Sequence, residues 1–140
     1  MITIKRETDY ACRVILHLAM LPHGTRATAR EIARHRVIPR ALVRRVITRL
    51  AAAGLITTVR GGHGGLSLAR ASSQITLLQV VQAMEGKLAV NACVLDRRTC
   101  PLSHGCAVNQ AWCRVRQALI EELGRATFDD LARPGAGRGK

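Results

Sequence analysis

A chain of 140 residues is long enough for one core, and its 22 Lys and Arg against 9 Asp and Glu give a formal charge of +13. That balance points to a polyanionic partner, and the crowding of Arg26, Arg30, Arg34, Arg36, Arg40, Arg44, Arg45, Arg49 and Arg60 into one third of the chain points to nucleic acid. Tyr10, Trp112 and Phe128 are the only aromatics, which argues against RNA and single-strand readers and leaves duplex DNA; no run is apolar enough to span a membrane, and MITIKRETDY has no secretory apolar stretch, so a cytoplasmic protein is expected.

Thr8 is placed to cap a first helix on which Tyr10, Ala11, Val14, Ile15, Leu18 and Ala19 recur at helical spacing, with Pro22 and Gly24 ending it. Thr28 and Glu31 have capping-box spacing, so a short second helix starts there, burying Ile32 and exposing Arg30 and Arg34. After a turn at His35–Val37, Pro39 suits the first position of a third helix. Leu42, Val43, Val46, Ile47 and Leu50 form its core stripe, and Gly54 stands at the left-handed C-terminal cap. Two helices joined by a tight turn, the second amphipathic and basic, make the helix-turn-helix pattern.

The next stretch, LITTVRGGHGGLSLAR, reads as a hairpin whose tip carries Arg60, Gly61 and His63; after a helix-turn-helix, a hairpin is a wing. Residues Ile75 to Glu85 read as a fourth helix stopped by Gly86, and residues 88–106 as a loop. A fifth helix is expected from Ala107 to Leu123, with Gly124 ending it and an apolar face of Trp112, Val115, Leu119, Ile120 and Leu123 that is long for this core and suits a second copy of itself. Thr127 to Asp130 repeats the capping spacing, and residues 134–140 read as a disordered basic tail. The fold class is therefore mainly α with a small β wing, a winged helix-turn-helix followed by a long dimerisation helix. Residues 1–70 would read DNA, with helix one also serving the dimer, and residues 71–133 would sense and dimerise.

On the third helix Arg40, Arg44 and Thr48 share one side at four-residue spacing, and Arg45 and Arg49 lie on an adjacent strip. Arginine forks fit guanine edges and phosphates, so Arg40 and Arg44 are assigned to the major groove, and Arg45, Arg49 and Arg60 to phosphates. The bland alternative is a solvated charged face. It is weakened because only Glu31 and Asp9 lie near in sequence to balance the charge.

Three of the five cysteines, Cys93, Cys100 and Cys106, fall within CVLDRRTCPLSHGC, where Pro101 and Gly105 favour a loop. An iron–sulfur cluster is held mainly by cysteine thiolates. Zinc with His104, a thiol switch, and buried small hydrophobes remain open readings, although no C-x-x-C pair favours zinc. Cys12 and Cys113 read as core cysteines on helices. No catalytic set stands out, so an enzyme is not expected. A basic DNA-associated scaffold with a structural metal is the rival from another class.

Together ITIKRETDYACRVILHLA, VIPRALVRRVITRLAAAGLI, VRGGHGGLSLAR and ITLLQVVQAMEG with its three following cysteines resemble the Rrf family of bacterial winged-helix repressors over about Met1 to Ala132. The resemblance implies a homodimer on a DNA operator, sensing redox state, nitric oxide or iron through a cluster on Cys93, Cys100 and Cys106. Four-iron is favoured and two-iron is open, the first cysteine gap being one residue longer than in the best-known members. For the fourth ligand, one branch of the family uses a histidine three residues after the last cysteine, which here is Asn109. Another uses an aspartate at the start of helix one of the other subunit, which here is Asp9. A third pairs a carboxylate with a histidine one turn on, which here is Arg13. Asp9 is the residue the resemblance selects, with Cys12, His104 and Cys113 as rivals.

Overall fold

The structure is a computed structural model that describes residues 3–135, so most of the predicted tail, from residue 136 onward, lies outside the described residues. The elements run α1 (Arg6–Ala19), α2 (Ala29–His35), α3 (Arg40–Ala52), β1 (Ile56–Val59), β2 (Gly65–Leu68), α4 (Leu77–Glu85), α5 (Ala92–Leu95), α6 (Ala107–Arg125) and α7 (Phe128–Ala132), with 3-10 turns at Ser72–Gln74 and Arg97–Thr99. Seven helices and a two-stranded sheet make the mainly α winged-helix architecture that the sequence predicts.

Helix α1 lies at the centre. Its stripe Tyr10, Ala11, Val14, Ile15 and Leu18 is buried, and it packs against α3, α4, α7 and β2. Thr8 does not cap it: the helix begins at Arg6 behind Lys5, which makes no side-chain cap. Thr8 is buried and donates its hydroxyl to Glu85 Oε1 at the end of α4, a tertiary bond that overrides local capping chemistry. Lys5 completes that clasp, its N–H donating to the same oxygen at 2.9 Å and its ammonium 3.5 Å from Oε2.

The capping box on α2 forms as expected, Glu31 N donating to Thr28 Oγ1 at 3.1 Å and Thr28 N to Glu31 Oε2 at 2.8 Å. Pro39 sits one position earlier than expected. With ψ at 132° it is the N-cap, and α3 starts at Arg40. Gly54, at φ +71°, closes α3 in a Schellman turn, Leu55 N donating to Leu50 O and Gly54 N to Ala51 O, both at 3.0 Å. The wing strands pair antiparallel from Ile56↔Leu68 to Val59↔Gly65, and Ala27 adds a bridge to Leu66. A Cβ on Gly65 would meet Ala27 O at 2.9 Å, so this close approach requires glycine.

Helix α4 starts later than predicted because Ile75 stays extended, its carbonyl accepting from Phe128 N at 2.9 Å while Leu77 N donates to Ala126 O at 2.8 Å. Thr76 then caps α4 with Gln79 in a second capping box. Gly124 does not end α6, which continues to Arg125. The glycine lies against Leu78, where a Cβ would stand 3.7 Å from Cδ2. The predicted cysteine loop contains two helical turns, α5 and the 3-10 turn that Asp96 caps. Along α6, Trp112, Leu119, Ile120 and Leu123 are partly buried and the helix packs on α4 and α5, while Val108 and Val115 remain exposed.

Val37, in the turn between α2 and α3, is 78% exposed at φ +54°. A β-branched residue in the left-handed region is strained. Val37→Gly is expected to stabilise the fold by about 1 kcal/mol, read as a raised midpoint in urea or thermal denaturation. Partial burial of Glu85 pushes its carboxyl up, but the Thr8 hydroxyl and the Lys5 N–H and ammonium outweigh that and hold it below its ordinary 4.5. A carboxyl depressed on folding stabilises above its unfolded value and loses that stabilisation as pH falls through its folded one. Urea midpoints across acid pH should therefore fall less steeply below 4.5 for Glu85→Gln than for the unsubstituted chain.

Candidate functional site

Two groups of side chains stand out. The first is the arginine face. Arg30 and Arg34 on α2 and Arg40 at the start of α3 border one concavity of about 290 Å³, with Ala33 and Ile38 as its floor. Arg44, Arg45, Thr48 and Arg49 line a second of about 510 Å³ along α3. All these polar residues are exposed, because the buried stripe of α3 is Val43, Val46 and Leu50 on the opposite side. Thr48 bonds back to Arg44 O at 3.0 Å, which leaves its methyl free to face outward. Pro39 is exposed at the entry to the same helix.

Among the described residues, Arg30, Arg34, Arg40, Arg44, Arg49 and Arg60 have no carboxylate within ion-pair distance. Arg45 is different, its Nη1 lying 3.3 Å from Glu7 Oε1. The two carboxylates nearest in sequence are engaged elsewhere. Glu31 is held below its ordinary range by the backbone and hydroxyl of Thr28, and Asp9 lies 2.7 Å from Arg13 Nη2. The face thus keeps nearly all of its positive charge.

At the wing tip Arg60, Gly61 and His63 are exposed, and Gly61 has φ +107° with open space around its Cα. Sequence reasoning missed two residues that position these elements. Arg26 donates to His63 O at 3.3 Å and ties the wing tip to the segment before α2. Arg36 donates from Nε to His17 Nδ1 at 3.2 Å and from Nη2 to Met20 Sδ at 3.0 Å, while its own carbonyl accepts from Arg13. His35 stacks on His17, with ring centroids 5.8 Å apart. Burial first, then Arg36 and His35, hold His17 below its ordinary range, so it stays the neutral acceptor that Arg36 needs. No local spacing signals these contacts, since their partners are 16 to 37 residues apart.

The second group is the thiols. Cys93 lies on α5, Cys100 follows the 3-10 turn, and Cys106 is the N-cap of α6; all three are half-buried and free. Ser103 folds the chain round Cys100, its N–H donating to Cys100 O at 3.1 Å and its hydroxyl to Arg97 O at 2.6 Å. Asn109, only 3% exposed, is the hub. Its Nδ2 donates to Cys93 O at 3.1 Å and to Cys93 Sγ at 3.2 Å, and its backbone N–H donates to Cys106 Sγ at 3.4 Å. Its Oδ1 accepts from the Cys113 thiol at 3.8 Å. Cys113, read from the sequence as a core cysteine and as a rival ligand, is half-buried one helical turn after Asn109. Among the described residues no three His, Cys, Asp or Glu side chains are drawn together closely enough to hold a metal ion.

Asp9 is exposed on α1, beside a cavity of about 290 Å³ that Cys12, Arg13, Leu77 and Phe128 also line. Burial, with Asp9 nearby, pushes the Cys12 thiol up to about 12, so Cys12 remains a protonated core cysteine. His104 is exposed on the loop. No helix among the described residues is long and apolar enough to cross a membrane.

Comparison with known proteins places this arrangement. The chain is 35% identical over 135 residues to protein aau3 of Rhizobium meliloti (strain 1021), spanning 94% of this chain and 86% of that protein. Its fold matches CymR (YrzC), the global cysteine regulator of B. subtilis, at TM-score 0.80 and 25% identity, over 94% of this chain and 97% of that one. It also matches IscR of T. potens at TM-score 0.78 and 20% identity, over 99% and 93% respectively. The family model Rrf2, described as an iron-dependent transcriptional regulator, matches residues 4–134, and the chain belongs to the Rrf2 family of DNA-binding transcriptional regulators, which are not enzymes.

Proposed function

We propose that this regulator is a cytoplasmic homodimeric repressor that senses redox state, nitric oxide or iron through an iron–sulfur cluster on Cys93, Cys100 and Cys106, with four-iron favoured over two-iron. The observation that carries the reading is that one buried residue, Asn109, meets two of the three thiols, its Nδ2 at Cys93 Sγ and its backbone N–H at Cys106 Sγ, with Cys100 held on the same loop by Ser103. The donor set fits the group chemically. The thiols are free and half-exposed, and N–H groups point at two of their sulfurs, as they do where sulfur carries negative charge. When bound, a cluster supplies a soft centre that reacts with oxidants and nitric oxide. The zinc reading would enlist His104, which is exposed on the loop.

Residues 1–70 act as the reader and residues 71–133 as the sensor and dimer interface. Arg40, Arg44 and Thr48 enter the major groove, while Arg30, Arg34, Arg45, Arg49 and Arg60 lie along phosphates. Pro39 sets the start of the recognition helix, and Gly61 and His63 carry the wing tip toward the backbone of the duplex. Arg45 exchanges Glu7 for a phosphate on binding.

Fluorescence anisotropy with a specific operator duplex tests the reader. Arg44→Ala should cost about 1–3 kcal/mol and relax the base preference at one position. Arg49→Ala should weaken binding to all sequences alike and reduce the salt slope by about 1. Two variants that bind as the parent does would remove α3 from the interface. Anaerobic purification tests the sensor. A brown protein with iron matching sulfide is expected, and iron per subunit chooses between four and two. A colourless protein with stoichiometric zinc would transfer the loop to the zinc reading. A metal-free chain that resists reconstitution would leave only the DNA-binding half.

A further inference from the structure

We propose that Arg36 is a positioning residue for DNA recognition: by gripping the neutral imidazole of His17 it sets the entry of α3, and protonation of that ring loosens the recognition helix and lowers sequence specificity at acid pH. This deepens the proposed function and rests on its reading of α3 as the recognition helix.

The turn that joins α2 to α3 is short, residues 36–39, and it is strained at Val37, whose φ is +54°. Such a conformation persists only where its surroundings hold it. Arg36, immediately before Val37, supplies the hold. Its backbone N–H closes α2 on Ile32 O at 2.9 Å, and its carbonyl accepts from Arg13 Nη1 at 3.2 Å. Its side chain forks, Nε donating to His17 Nδ1 at 3.2 Å and Nη2 to Met20 Sδ at 3.0 Å. Arg13, His17 and Met20 lie on α1 and its C-cap, so one residue fastens the turn to the central helix just before α3 begins at Arg40.

Of these ties only the one to His17 depends on the charge of its acceptor. Neutral imidazole offers Nδ1 as an acceptor, whereas imidazolium carries protons on both nitrogens and offers none. Protonation would also set a cation against the Arg36 guanidinium and against His35 of α2, whose ring stacks at 5.8 Å between centroids. Glu31 of α2 is the carboxylate that bears on the ring, and it is engaged in the capping box with Thr28. Burial first, then Arg36 and His35, keep His17 below its ordinary 6.5, so the grip is whole at neutral pH and is lost as pH falls through that lowered value. Added positive charge ordinarily strengthens binding to a polyanion, so the direction expected here is the reverse of the general one.

Fluorescence anisotropy with two duplexes tests this: the tightest sequence the protein selects from a random library, and a scrambled duplex of the same composition. The ratio of the two affinities cancels general effects of charge. From about pH 8 to about pH 5 the parent ratio is expected to fall about tenfold, the worth of one hydrogen bond to a charged group. His17→Gln keeps an amide oxygen that accepts at every pH and should flatten the profile. Arg36→Met should show the low ratio at both ends, and Arg36→Lys, a cation without the fork, should not restore it. Nuclear magnetic resonance of the His17 ring in the absence of DNA should give a titration midpoint below 6.5 that rises in Arg36→Met. Circular dichroism confirms that each variant is folded, and Arg36→Lys carries the comparison if Arg36→Met is not.

A parent ratio that does not change with pH, or a fall that His17→Gln retains, overturns the inference and spares the reader, provided Arg44→Ala still loses affinity for the selected duplex. An Arg44→Ala chain that binds as the parent does, or a parent that selects no sequence, overturns both.

Discussion

Burial of α1 is the constraint on which the rest depends. Ala11, Val14 and Ile15 are fully buried, and the helix touches α3, α4, α7 and β2. With three aromatics in 140 residues, this core is built from aliphatic side chains interlocking around one helix. The cluster that includes Val14 and Ile15 also takes in Val46 and Leu50 of α3, Leu66 of the wing, Val80 and Met84 of α4 and Phe128 of α7. The winged-helix half and the segment that follows it therefore share one core. A displacement of α4 is felt by α1, and α3 packs directly on both.

The electrostatics follow from where the few carboxylates are spent. Nine acidic residues face 22 basic ones, and the structure engages several of the nine in fold-making contacts. Glu31 closes a capping box, Glu85 clasps the N-terminal segment, Asp96 caps a turn and holds Arg98, and Asp129 and Asp130 grip Arg133. None of these lies on the outer strip of α3. Exposed pairs of this kind add little stability individually, but their placement matters because it leaves Arg40, Arg44 and Arg49 without counter-charges among the described residues. Phosphate is then the natural partner, and the cost of desolvating these arginines is offset by release of counterions from the duplex.

The legible parts of the chain were those whose cause is local. The Thr28–Glu31 box, the Gly54 cap, the glycine-rich wing turn and the Thr127–Asp130 turn are each fixed by residues within a few positions, and all occur where the spacing places them. Errors arose where a distant partner decides the outcome. Thr8 looks like a cap until Glu85, 77 residues away, takes its hydroxyl. Ile75 looks helical until Phe128 N claims its carbonyl. Gly124 looks like a stop, yet the last turn of α6 runs through it because the chain next has to bring Thr127 alongside Thr76. The same limit hid Glu7 as the partner of Arg45. The cysteines were conspicuous by count and spacing. Asn109 stands out only as the position where one branch of the family has a histidine, and nothing in the apolar periodicity shows it as the buried residue that meets two of the thiols.

How the cysteine loop can reach α3 follows from its attachments. The loop is tied to α6 at two levels, by Asn109 to Cys93 near the N-terminus of the helix and by Arg116 Nε to Leu88 O at 2.6 Å farther along. Its exposed middle, Arg97 to Leu102, has its bonds within the loop itself, through Asp96 and Ser103. The bonds that hold the cysteine loop to a long helix thus run to α6. From α6 the next rigid contact is α4, and Gly124 matters here because its missing side chain lets the helix lie close to Leu78. Helix α4 then bears on α1 and α3 through the buried faces of Val80 and Met84. A close-packed aliphatic interior transmits such a displacement as a body because it has few voids in which to absorb it. The polar clasp of Glu85 with Lys5 and Thr8 sits at the C-terminal end of α4, from which the chain runs on through Gly86 into the cysteine loop, while Leu78 near the other end lies against Gly124 of α6.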